Sequence, residues 1–287
     1  MSASFSLPDD PLDATQFELS IRRLADMLAY GQEASAFLGA GLEFAQSRPY
    51  QHGDPVKTID WRVTGRTGRV FVKEYEAPRR IPVYLLVDTS ASMALSSVRG
   101  TSKYAVAVQI AGALALASLD QTNPVGLLAL GSRSLHAPAS QSRNALLGWL
   151  QQLRRGDFQE HTLLGDRFQN LAARLQHTAC LIVLSDLHDP SGIHPLQTLA
   201  QRHDVALIHL RDPAEDPSHI RGVFRAREAE TGSTFVATHR SSRRTSCDLS
   251  PLTRAGIACL SLTVGQPFVA ALRHFLSQRS GRRKFLP

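Results

Sequence analysis

The sequence predicts an α/β protein: a doubly wound, mostly parallel sheet, preceded by an N-terminal helix and a small β-rich subdomain. Near-continuous apolar runs recur in the second two thirds of the chain, the pattern of strands buried on both faces. Helical patterns of ten to sixteen residues separate several of them, as in repeated βαβ units. Ahead of these runs, Gly-rich punctuation around short β-prone pieces marks a different texture.

In chain order, residues 14–30 place Phe17, Ile21, Leu24 and Leu28 at helical spacing, with Arg22, Arg23 and Asp26 between them. From residue 37 to 80, Gly39, Gly41, Gly53, Gly65 and Gly68 surround pieces such as Val70 to Val72, with an Asp-Pro turn signal at Asp54. Apolar runs then follow at 81–87 (IPVYLLV), 125–130, 179–184, 205–210 and 257–262. Helical patterns occupy 104–119, 144–153, 163–176 and 196–202, and 222–238 reads as a projecting hairpin turning at Thr231-Gly232-Ser233. The expected organisation is a helical segment (1–35), a β-rich subdomain (36–80), an α/β domain (81–280) carrying the hairpin, and a basic tail (281–287).

Composition narrows the class. With 287 residues, 43% hydrophobic and 20% charged, the chain can bury a full core and is neither disordered nor fibrous. Its longest uncharged stretches, 105–119 and 255–272, do not read as membrane spans. Asp9, Asp10 and Asp13 stand where a signal peptide would carry cations, so a cytoplasmic location is expected. Cys180, Cys247 and Cys259 have no CxxC spacing, which argues for buried thiols over a disulfide or zinc framework. The net charge of +7 is uneven: residues 240–287 hold nine cations against Asp248, a net +8, leaving the rest at −1. No aromatic residues interleave with these arginines as single-strand nucleic acid binding would require, so nucleic acid is not the expected partner.

In a doubly wound sheet, ligands bind beyond the carboxyl ends of the strands. There the sequence sets Asp88, Ser90 and Ser92 after the first apolar run, Ser185 and Asp186 after the third, and Thr162 before a helix. Asp88, Asp186, Ser90, Ser92 and Thr162 make an all-oxygen donor set from three loops, which suits a hard cation such as Mg²⁺. The bland alternative for Asp88 and its serines is helix capping.

Asp88-Thr89-Ser90-Ala91-Ser92 after a buried strand, with Thr162 and Asp186, resembles the metal-ion-dependent adhesion site of von Willebrand factor type A domains, whose sheet is Rossmann-like. Upstream, Gly41-Leu42-Glu43-Phe44, Arg48-Pro49-Tyr50, the block GD-x-V-x-x-IDW from Gly53 to Trp61, and Val72-Lys73-Glu74-Tyr75-Glu76 resemble the signature of the bacterial domain-of-unknown-function-58 family. The resemblance spans roughly residues 35–280. It implies a β-rich segment before a von Willebrand type A-like core, and a Mg²⁺ ion (or Mn²⁺ or Ca²⁺) on Asp88, Ser90, Ser92, Thr162 and Asp186. It also implies a non-enzymatic protein-interaction module or adaptor that works with a MoxR-type AAA+ ATPase, the ion accepting an acidic residue of the partner. One departure is Leu163 after Thr162, where family members commonly carry Thr-Asp-Leu.

The upstream block has two readings. Gly53, Asp54 and Trp61 form a turn and a buried anchor, or the block is a partner surface on which Arg62, Arg66 and Arg69 meet acidic groups. Two rival functions remain. One is a metal-independent scaffold that binds an acidic partner through the basic C-terminal segment. The other is a metallophosphoesterase suggested by Asp186-Leu187-His188, although the later GD-x-x-D and GNH elements are missing. Neither GxSxG, Walker A, GxGxxG nor HExxH occurs, and His203-Asp204 reads as a solvated surface pair.

Overall fold

The computed structural model describes residues 14–29, 43–76, 81–132, 135–155, 160–215, 223–227, 234–238 and 248–282. Helix α1 (Ala14–Ala29) is followed by a small antiparallel pair, β1 (Glu43–Pro49) with β2 (Phe71–Glu76), which brackets the short helix α2 (Trp61–Thr67). The α/β part runs β3 (Val83–Val87), α3 (Ala91–Ala94), α4 (Lys103–Asp120), β4 (Val125–Ala129), β5 (His136–Ser140), α5 (Arg143–Arg154) and α6 (Leu164–Arg174). It continues with β6 (Cys180–Ser185), α7 (Ile193–Ala200), β7 (Asp204–Arg211), the antiparallel pair β8 (Val223–Arg227) and β9 (Thr234–Thr238), α8 (Ser250–Arg254), β10 (Ala258–Thr263) and α9 (Val269–Arg282). The expected turn at 231–233 and the tail beyond 282 lie outside the described residues.

Six strands form one sheet in the order β10-β7-β6-β3-β4-β5, and all neighbours are parallel except β4 with β5. The five apolar runs are thus the five parallel strands. Along β3 the side chains alternate: Val83, Leu85 and Val87 pack with α1, α4, α5 and α9, while Leu86 packs on the opposite face with α6, α7 and α8. Both faces are covered, so the central strands β3, β4 and β6 are largely apolar, and each fully buried Leu or Val adds about 1.5–3 kcal/mol of transfer free energy.

Helix α4 is the central helix of one layer. Ser102 caps it by accepting the Ala105 N–H at 3.0 Å. It is long and apolar enough to cross a membrane, yet 78% of that stretch is buried inside the domain, as a core helix must be. Helix α1 lies on it so closely that a Cβ at Gly112 would collide with Ile21.

Several elements are absent from the sequence reading, among them the short helices α2, α3 and α8, strand β5 and helix α9. Strand β5 carries Pro138 and little apolar pattern; proline is tolerated there because the strand sits at the sheet edge. Helix α9 lies in the stretch read only as a basic segment. Its Arg279 pairs with Asp204 at 2.6 Å, and Arg273 donates to the Met27 carbonyl. Asp204 is therefore no surface pair with His203, which is itself buried and accepts the Ala179 N–H on Nδ1 at 3.3 Å. Of the cysteines, Cys180 is buried and Cys259 half-buried, while Cys247 lies outside the described residues.

Candidate metal-binding edge

The chain leaves β3 toward β4 on one side and leaves β6 toward β7 on the other, so the strand order reverses between β3 and β6. The crevice beyond their carboxyl ends is where an open α/β sheet binds ligands. Pairing of Val87 with Leu184, continued by the Asp88 N–H on the Leu184 carbonyl at 2.9 Å, sets Asp88 and Asp186 at that crevice.

Asp88 is completely buried. Its Oδ2 accepts the Ser185 hydroxyl at 2.5 Å and its Oδ1 the Ser90 N–H at 3.0 Å. Burial first, and then the negative charge of Asp186, push its carboxyl up to about 6, against the pull of those donors. Ser90 and Ser92 turn back on the same loop with their hydroxyls 3.0 Å apart. Helix α3 starts here, but its N-cap Ser90 makes no side-chain capping bond, so the capping alternative does not account for that serine.

Asp186 is also buried but differently served. Its Oδ2 receives the Lys103 ammonium at 2.7 Å and His188 Nδ1 at 2.9 Å, and the His188 N–H lies 3.3 Å from Oδ1. Burial works against its charge, but His188 and Lys103 together hold the carboxyl below its ordinary range. The hydrogen bond to Asp186 in turn raises the His188 ring. Below, His209 on β7 donates from Nε2 to the Asp186 carbonyl at 3.1 Å. Leu187 takes φ +50°, with its N–H on Ser185 Oγ at 2.9 Å, a left-handed conformation unusual for leucine, beside the two carboxylates.

Lys103 itself is 2% exposed and also pairs with Glu215, whose side chain is 23% exposed. Burial opposes its charge, yet Asp186 and Glu215 hold its pKa above the ordinary value. Asp186, His188 and Glu215 thus form a candidate metal-binding group, with one ligand atom from each lying within 4.8 Å of the others.

Thr162 reaches the neighbourhood from another loop. It bridges to Gly131 just past β4, and the Glu160 carbonyl accepts the Ala91 N–H at 3.0 Å. Thr89 fixes this junction by donating to Glu160 at 2.6 Å and accepting the Gly131 N–H at 3.1 Å. A Cβ on Gly131 would meet both the Thr89 hydroxyl and the Glu160 carboxylate, so only glycine fits. The structure therefore gathers Asp88, Ser90, Ser92 and Asp186, and ties the Thr162 segment to the first loop through backbone bonds. Lys103 and Glu215 were missed. The one sequence signal for Lys103 is a lone cation at the head of an otherwise uncharged helix that ends at Asp120.

The upstream block is ordered by its own acids. Asp54 makes a two-pronged pair with Arg48, both contacts at 2.8 Å, and accepts the Gln51 N–H; the Arg48 bond first holds its carboxyl down to about 2. Gly53 takes φ +107° in this turn. Asp60 caps α2 by accepting the Arg62 and Val63 N–H groups at 3.1 Å, and takes the Ser47 hydroxyl at 2.9 Å. The turn is as expected, but Trp61 is no buried anchor: it is 69% exposed, because the capped helix turns it outward beside exposed Arg62, Arg66 and Arg69.

A family model described as "Protein of unknown function DUF58" matches residues 46–250. Uncharacterized proteins of Mycobacterium bovis and of two strains of Mycobacterium tuberculosis are each 28% identical over 232 residues, covering 78% of this chain and 73% of theirs.

Proposed function

The chain belongs to the DUF58 family, and from that membership and the chemistry of the edge we propose that it is a non-enzymatic, metal-dependent interaction module. A divalent cation, Mg²⁺ or else Mn²⁺ or Ca²⁺, would sit on Asp88, Ser90, Ser92 and Asp186, with Thr162 from the next loop, as in a metal-ion-dependent adhesion site. The observation that carries this reading is Asp88, a fully buried carboxylate with neutral hydrogen-bond donors and, among the described residues, no cation paired to it. A buried charge in that state is costly, and a hard cation beside two hydroxyls relieves the cost.

When bound, the ion supplies an electrophilic centre that attracts an outside carboxylate. The chain's residues do the rest. Ser185 and the Ser90 N–H orient Asp88, and His188 fixes Asp186. Ser90 and Ser92 hydrogen-bond to each other rather than to a base, which favours coordination over nucleophilic turnover. The partner we propose is a MoxR-type AAA+ ATPase in the cytoplasm, or a client, offering an acidic residue to the ion, with Arg62, Arg66 and Arg69 as an added basic contact. The rival scaffold is weakened because Arg273 and Arg279 of the C-terminal segment serve the fold.

The test is thermal unfolding of wild type and Asp88→Ala in EDTA and in millimolar MgCl₂. A ligand that binds only the folded state raises the midpoint with log concentration. Magnesium is expected to raise the wild-type midpoint by about a degree or two and leave Asp88→Ala unmoved. Equal response of the two proteins, or none in either, removes the reading.

A further inference from the structure

We infer that Lys103 is a built-in competitor for the divalent cation, so that the edge loads metal well only when Lys103 gives up Asp186; this rests on the cation reading above. A lysine is almost never fully buried. Here the ammonium stands at the first residue of α4, where the helix dipole disfavours positive charge, and its long side chain has lost its rotamer freedom. Ser102 already caps the helix. Nothing local needs the charge.

What needs it is across the fold. The ammonium lies on Asp186 Oδ2 at 2.7 Å and on Glu215, partners 83 and 112 residues away in the chain. It occupies the Oδ2 of Asp186, the oxygen that His188 Nδ1 also holds at 2.9 Å. An ion arriving with Lys103 in place would find Asp88 and hydroxyls but not Asp186. One carboxylate and three hydroxyls are a weak set for a strongly hydrated dication.

Glu215 makes exchange feasible. It belongs to the loop after β7, is partly exposed, and is anchored by the Asp212 N–H at 3.1 Å on its other oxygen. Lys103 can leave Asp186 and keep Glu215, which lessens the cost of taking a buried ammonium off one of its two partners. An outside carboxylate that coordinates the ion strengthens the ion's side of the competition. Metal and acidic partner are therefore expected to bind together, each weakly alone.

The experiment compares wild type, Lys103→Met, which keeps length and packing without charge, and Lys103→Arg, with folding of each checked by circular dichroism. Free Mn²⁺ is followed by electron paramagnetic resonance, and Mg²⁺ by competition. The expected result is at least tenfold tighter Mn²⁺ binding by Lys103→Met, weak binding by wild type and Lys103→Arg, and tightening of wild type by millimolar acetate. If wild type binds Mn²⁺ as tightly as Lys103→Met, the competition is refuted and the cation site stands. If neither binds Mn²⁺, the cation site itself falls. Should Lys103→Met be unfolded, Lys103→Gln replaces it in the same measurement, with the same outcomes.

Discussion

The switch-point edge and the Asp54–Trp61 block are built from the same residue types, acids at the ends of strands and helices with cations nearby, yet they are wired oppositely. In the block, Asp54 finds its partners three and six residues away, and Asp60 finds its N–H donors two and three residues away. Their charge is spent on a turn and a cap, and what remains outward is Trp61 with its arginines. At the edge, Asp88 draws on Ser185 and Asp186 on Lys103, 97 and 83 residues off. Bonds within one turn stabilise local backbone, whereas long-range bonds among buried charges must be held by the whole fold. An acid served locally is architecture. An acid served from afar, in a crevice, is the better site candidate.

The largest expected effect tests that contrast through Asp186→Ala in EDTA. Lys103 would keep only Glu215 in a buried position, and breaking a buried pair costs about 3–5 kcal/mol. Asp54→Ala, on a solvent-facing turn, is expected to cost much less by the same urea titration. Equal losses would erase the distinction drawn between the two regions. Lys103→Met added to Asp186→Ala should return most of the loss, because the half-compensated buried charge is then gone.

Much of this was legible in the sequence. Strands covered on both faces are mostly apolar, so β3, β4, β6 and β7 stand out as runs, with β10 a weaker run at the sheet edge, and acids that end such runs, Asp88 and Asp186, point to the crevice. Strand β5 was invisible because an edge strand needs no such pattern and tolerates Pro138. Lys103 and Glu215 were invisible as a pair because nothing in local spacing reports a contact across 112 residues. Trp61 misled for the converse reason: an aromatic residue inside a Gly-rich, β-prone stretch reads as core, and only the cap at Asp60 reveals which way the helix turns.

His203 sharpens the rule, since its donor, the Ala179 N–H, is 24 residues away and yet the bond is architectural. Burial lowers its ring pKa below the ordinary value, so the neutral, accepting form is the folded one. That stability is complete above the unfolded value near 6.5 and is lost as pH falls below it toward the folded value. His203→Gln, which accepts without titrating, should make the fall in urea midpoint between pH 7.5 and 5.5 shallower, by a bond's worth of about 1 kcal/mol. An unchanged slope would show that His203 does not accept this bond.

The smallest expected effect belongs to Trp61, and its smallness is the point. Tryptophan truncated in a core costs about 3–5 kcal/mol, whereas surface substitutions stay within roughly 0.5 kcal/mol. With 69% of its surface exposed, Trp61→Ala should leave the unfolding midpoint where it is. A large rigid aromatic ring held in water by a capped helix, beside Arg62, Arg66 and Arg69, has the composition of an interface anchor. The substitution is thus expected to weaken partner capture at unchanged stability, while Asp88→Ala abolishes only the metal-dependent part. A drop of several degrees in Trp61→Ala would instead make the block a second piece of core, and the contrast between the two regions would have to be redrawn around the arginines alone.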